Sequence, residues 1–178
     1  MSDRTLEYFL SLNQITKKDA SEVKWSHAVN SRSRLTEALT GPMHMLEADI
    51  IIRGRDPKEP VMAHPPDTDS DITLKEWLEA VKAHDKGIKL DFKSKTCYSW
   101  DTVRVMEEIC RTLEHPVTFP VRAALLSQSF SQLKWLLQQS DRYTLTVWTG
   151  RNDVVTQEDL LPYRKEIHIS RIYYDLDL

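Results

Sequence analysis

At 178 residues, 40% hydrophobic and 29% charged, the chain has room for one domain with a sizeable core and an ordinary soluble composition. A formal net charge of −3 without a basic stripe argues against nucleic acid as a partner. No apolar run reaches the roughly 18 residues of a membrane span, and the start MSDRTLEYFLSL lacks the basic and apolar regions of a secretory signal, so a cytoplasmic setting is expected.

Cys97 and Cys110 have no metal-type spacing and read as free thiols in such a setting. With only four glycines, neither GxGxxG nor GxxxxGK[ST] occurs, which excludes the glycine-rich phosphate loops.

In chain order, Thr5 to Leu12 has the apolar spacing of a short helix. Val23 to Val29 alternates as a strand, with Trp25, His27 and Val29 on one face and His27 near its end. SRSRLTEALT is a short helix stopped by Gly41-Pro42. The strand MLEADIII follows, and its Glu47 and Asp49, two apart, share a face opposite Leu46, Ala48 and Ile50. Two like charges about 4 Å apart repel by roughly 4 kcal/mol at an effective dielectric near 20. A bound cation, a neighbouring lysine or a proton would offset that repulsion, and an exposed edge strand would solvate it; this stretch alone leaves these alternatives open.

The loop RGRDPKEP leads to a short return strand, Val61 to His64, ended by Pro65-Pro66. Asp67, Asp69 and Asp71 do not make a calcium loop, since an EF-hand wants Gly and Glu where Ile72 and Leu78 stand. Asp71 instead reads as the cap of a helix built on Leu74, Trp77, Leu78 and Val81. Ile88 to Lys93 is a strand with Lys89, Asp91 and Lys93 on one face. Beyond it come a helix over Ser99 to Leu113, a strand over Val117 to Leu126 with an edge or bulge at Pro120, and a helix over Phe130 to Gln138. A strand at Tyr143 to Trp148, a helix capped by Thr156 and Asp159, and a strand over Arg171 to Leu178 complete the chain. Strands and helices alternate almost throughout, which argues for an α/β fold with a mainly parallel sheet.

His27, the pair Glu47 and Asp49, and Asp91 with Lys89 and Lys93 fall near the C-terminal ends of three strands, where a (β/α) barrel gathers its site. Glu47, Asp49 and Asp91 are oxygen ligands for a hard ion, Mg²⁺ or Ca²⁺, rather than zinc. His27 and His64 would serve as acid and base, and Lys93 would stabilise an anionic group, roles that suit phosphodiester cleavage. The competing reading is a structural network in which the lysines neutralise the acids. His44, His84, His115 and His168 are assigned structural roles.

WSHAVNSRSRLTEAL, MLEADIII, PVMAHPP, TLKEWLEAV and GIKLDFKS resemble the menorin domain, and PVTFPVRAALL and LTVWTG resemble its later part. That family is distantly similar to glycerophosphodiester phosphodiesterases and phospholipase-C-like barrels. Their first-strand His, second-strand E-x-D, following His and third-strand acid-x-Lys correspond to His27, Glu47, Asp49, His64, Asp91 and Lys93, and Trp148-Thr149 resembles a late-strand motif. Where those enzymes carry Arg-Gly after the first His and Asp after the second, this chain has Ala28-Val29 and Pro65.

The resemblance implies a TIM-barrel-like (β/α) fold. An eight-stranded barrel takes about 250 residues, and this chain has about six major strands, with Lys93-Ser94-Lys95 running straight into the segment YSWDTVRVMEEIC. The expectation is therefore one incomplete menorin-like domain, 1–178: a lead-in over 1–22, the first half over 23–93, and later segments over 94–178 joined across a missing internal block, as a splice variant would be. Two function classes follow. One is a metal-dependent phosphodiester hydrolase or lyase, weakened or inactive in this short form; the other is a binding or signalling protein on that scaffold, with a protein partner at the cell surface. The family's link to extracellular neuronal patterning places the second outside the cell.

Overall fold

The computed structural model describes residues 3–93, 98–150 and 153–176. The chain divides into two compact units, one of Leu6–Ser94 and one of Met1–Thr5 with Lys95–Leu178. Helix α1 (Asp3–Ser11) opens the chain and buries Leu6 and Phe9.

The Leu6–Ser94 unit contains β1 (Trp25–Ser26), α2 (Arg32–Thr40), β2 (Met45–Ile52), β3 (Pro60–Met62), α3 (Leu74–Lys82) and β4 (Gly87–Phe92). Strand β2 pairs with β4 in parallel from Met45↔Gly87 to Ile50↔Phe92. Its other edge is shared: β1 takes Met45 and Leu46 in parallel, and β3 takes Ile50 to Ile52 antiparallel. The first six residues of β2 are all buried, so Leu46, Ala48 and Ile50 pack on one side while Glu47 and Asp49 are enclosed on the other. This overturns the exposed-edge alternative for the two acids.

Strand β1 is shorter than its alternating sequence suggests. The chain leaves the ladder after Ser26, and while Trp25 and His27 remain neighbours, Val29 turns inward to full burial. Ala28 at φ 53° makes that turn, a left-handed backbone unusual for a residue with a Cβ. Val29 is held there by Trp77 of α3, whose fully buried indole Nε1–H donates to the Val29 carbonyl at 3.0 Å. The cap of α3 is Thr73 rather than Asp71: Thr73 and Glu76 form a reciprocal capping box, while Asp71 accepts from the backbone N–H of Arg32. The return strand likewise stops at Met62, short of His64.

The other unit holds α4 (Trp100–Cys110), β5 (Val117–Arg122), α5 (Ala123–Gln139), β6 (Tyr143–Trp148), α6 (Gln157–Glu166) and β7 (Ile172–Asp175). Strands β5, β6 and β7 pair in parallel in that order. The β5–β6 register runs unbroken through Pro120↔Thr146, so no bulge occurs on that side. The apolar run after Pro120 ends as strand at Arg122, and Ala123 already begins a 17-residue helix; the Leu-rich face of AALLSQSFSQLKWLL buries Leu126, Leu133, Leu136 and Leu137. Thr156 and Asp159 form the expected capping box. Strand β7 starts at Ile172 because a turn of 3₁₀ helix takes in Arg171, and it ends at Asp175; Asp177 and Leu178 of the expected strand lie outside the described residues. Cys110 is a free thiol whose burial raises its pKa to about 12, so it is inert; Cys97 lies outside the described residues.

The fold class is thus α/β of the (β/α) kind. Among the described residues six strands run parallel to a neighbour, three in each unit, fewer than the eight of a complete barrel. No described helix is long and apolar enough to cross a membrane. Replacing Trp77 should test how much the unit depends on the anchored loop. Trp77→Ala is expected to lose about 3–5 kcal/mol of unfolding free energy, and Trp77→Phe, which keeps most of the apolar bulk but strands the Val29 carbonyl, about 1–3 kcal/mol, both read from urea denaturation.

Candidate metal centre

The parallel register decides which charges meet. Asp49 lies opposite Asp91 and Glu47 opposite Lys89, and neighbouring strands stand only about 4.8 Å apart, so acids in register on one face must share a space. One carboxylate oxygen from each of Glu47, Asp49 and Asp91 falls within 4.8 Å of the others, and all three residues are buried. Lys93, one residue past β4, continues the ladder by donating its N–H to the Ile50 carbonyl at 2.9 Å. Its ammonium bridges the two aspartates, 2.9 Å from Asp49 Oδ1 and 2.5 Å from Asp91 Oδ2. Burial alone would lower the pKa of Lys93, but hydrogen bonds and attraction to Asp91 and Asp49 outweigh it and hold the group above the ordinary lysine value. Three carboxylates against one bridging ammonium leave the cluster with negative groups in excess.

The loop between β1 and α2 supplies contacts that sequence reasoning missed. Ala28, in its left-handed conformation, directs its N–H to Glu47 Oε2 at 2.8 Å. His27 Nδ1 lies 3.7 Å from the same oxygen, with its exposed ring stacked on Trp25 at 5.9 Å between centroids and 14° between planes. Asn30 engages Asp49 twice: its Oδ1 accepts the Asp49 backbone N–H at 2.9 Å, and its Nδ2–H donates to Asp49 Oδ2 at 2.8 Å. The available signal was an Asn three residues past the histidine in a strand-to-helix loop, where its side chain commonly bonds nearby backbone. Nothing in the local spelling marks Ala28 as left-handed.

Of the residues picked from sequence, Glu47, Asp49, Asp91, Lys93 and His27 are brought together. His64 is exposed beyond β3 and its Nδ1 lies 2.5 Å from the Pro65 carbonyl; none of its observed contacts reaches the acids. The remaining histidines have local bonds or burial. His44 is buried and accepts from the Lys24 N–H; burial first, then Lys24 and Lys86, lowers its pKa. His84 Nδ1 meets the Ala80 carbonyl, His115 is buried, and His168 caps a 3₁₀ turn through Ser170. Asp69 is drawn off by Arg53 and Arg55, at 2.8 and 2.6 Å.

Three carboxylates on adjacent strands, with no cysteine and with imidazole at the rim among the described residues, match the hard oxygen donors that Mg²⁺ and Ca²⁺ prefer. Glu47, Asp49 and Asp91 are the residues that could hold such an ion.

Of three likenesses to known proteins, two bear on identity. A crystal structure of a candidate glycerophosphodiester phosphodiesterase from Galdieria sulphuraria superposes over 86% of this chain and 92% of that one, but at 9% identity and a TM-score of 0.38, a level that carries no functional information. The human protein FAM151B is 37% identical over 98% of this chain and 90% of its own length. That alignment runs over 247 positions against 178 residues here, so at least 69 of them face gaps in this chain. The model of the Menorin N-terminal domain matches in two segments, residues 19–97 and 94–178. Together they span most of the sequence: the chain belongs to the menorin family.

Proposed function

We propose that this chain carries a phosphodiesterase-type site for a divalent cation, Mg²⁺ or Ca²⁺, held by Glu47, Asp49 and Asp91. The observation that supports it is the convergence of the three buried carboxylates within 4.8 Å, with an excess of negative groups that a divalent cation would neutralise. When bound, such an ion would act as a Lewis acid toward a phosphoryl oxygen. Lys93 would attract the anionic phosphodiester and stabilise charge growing on it. His27, against Glu47 and open to solvent, suits proton acceptance from the attacking group. His64 takes the role of proton donor to the leaving oxygen on the strength of the motif alone. We further propose a shortened family member, of the kind alternative splicing produces, lacking a block between Lys93 and Tyr98. The meeting of the two matched segments at 94–97 and the gaps against FAM151B support this.

A second reading has its own support. Lys93 already bridges Asp49 and Asp91, so the cluster can stand as a structural ion-pair network on a binding or signalling protein, with a partner at the cell surface and a part in neuronal patterning.

Two measurements separate the readings. Calorimetric titration should detect Mg²⁺ or Ca²⁺ binding that Asp49→Asn abolishes, and against a panel of phosphodiesters Glu47→Ala should lower turnover at least ~100-fold. Neither uptake nor turnover would leave the structural network. Lys93 gives a pH test of its own. Because its folded pKa is raised above the ordinary 10.5, the stability it adds is full below that pH and is lost as pH rises through the folded value. Urea denaturation should therefore give a constant gap between the wild type and Lys93→Met from pH 7 to about 10, closing at higher pH.

A further inference from the structure

The upper edge of β2 is assembled from three sources. β1 ends its pairing at Leu46 and β3 begins at Ile50, which leaves Glu47 to Asp49 without a strand partner on that side. The loop fills the gap. The Val29 N–H donates to the Glu47 carbonyl at 2.9 Å, and the Asn30 side chain accepts the Asp49 N–H where the next residue of a strand would have done so. We propose that Asn30 is the positioning residue of the cation site, holding the Asp49 carboxylate with its Nδ2–H and the Asp49 backbone N–H with its Oδ1; this rests on the reading of Glu47, Asp49 and Asp91 as cation ligands.

The chemistry of the side chain carries the argument. A planar carboxamide offers one acceptor and one donor group side by side, and here the two meet the backbone and the side chain of the same residue. That double attachment restricts how the Asp49 side chain can rotate, with Oδ2 on Asn30 and Oδ1 turned to Lys93. The donor is neutral, so it orients a ligand without consuming the negative charge that a cation needs. An aspartate would keep the acceptor but set a second carboxylate against Asp49 Oδ2. An arginine or lysine would supply the donor and neutralise the site.

Asn30 is itself held from two directions. Its carbonyl accepts from Ser70 Oγ at 2.9 Å, and the preceding carbonyl, of Val29, is anchored by Trp77. The carboxamide therefore hangs from a fixed backbone, as an orienting group behind a metal ligand requires.

Calorimetric titration of Mg²⁺ and of Ca²⁺ into the wild type, Asn30→Ala and Asn30→Asp tests the assignment. Asn30→Ala should weaken binding about 10–100-fold, the range for outer-shell partners of metal ligands. Asn30→Asp should also bind more weakly than the wild type, although it keeps the acceptor for the Asp49 N–H. Wild-type or tighter affinity in Asn30→Asp would mean that the residue only tethers the loop, and would overturn the proposal. Amide hydrogen exchange at Asp49, followed by NMR without any metal, is the second readout: protection should fall in Asn30→Ala and persist in Asn30→Asp. Unchanged protection in Asn30→Ala would overturn the proposal by itself. Should the wild type take up neither ion, the cation reading fails, and the exchange data alone decide whether Asn30 holds Asp49.

Discussion

Like charges enclosed between two parallel strands are the constraint around which the Leu6–Ser94 unit is arranged. The pairing of β2 with β4 leaves no freedom in the matter: once Met45 is opposite Gly87, Asp49 must lie opposite Asp91, and Glu47 falls on the same face. Any register shift that separated the acids by one residue would turn the apolar side of β2 toward them instead. The repulsion is answered locally, by the Lys93 ammonium on two of the acids and by N–H donors on two oxygens, Ala28 on Glu47 and Asn30 on Asp49. Only part of the charge is neutralised in this way, which is the property a cation site needs.

The loop from His27 to Asn30 does several jobs at once because β1 is so short. By leaving the ladder after Ser26, the chain frees four residues to cover the middle of β2 with side-chain and irregular backbone bonds. The left-handed Ala28 is the local strain this demands, and the buried Trp77 indole is what holds the loop in place. Packing in the core of the unit and the electrostatics of its polar face thus meet at the Val29 carbonyl.

Much of this was legible in the sequence. The E-x-D spacing inside an apolar strand, the D-x-K of the third strand and the alternation of strands with helices all follow from periods of 2 and 3.6 residues, which fixed β2, β4 and the acid cluster. Asn30 and Ala28 escaped because their roles depend on where β1 stops, and the alternation of Val23 to Val29 gave no sign that pairing would end at Ser26. The Thr73 cap was missed for a similar reason: Asp71 and Thr73 are both competent caps, and the choice rests on Glu76 lying three residues after Thr73. After β5, the apolar character of Ala123 to Leu126 suits strand and helix alike, and the long Leu-rich face beyond it decides for α5.

Every contact described for the acid cluster comes from within residues 25–93, a contiguous stretch lying inside one of the two compact units. Such a stretch is self-contained: a change of sequence outside it can reshape what surrounds the charged core without touching the bonds that hold it.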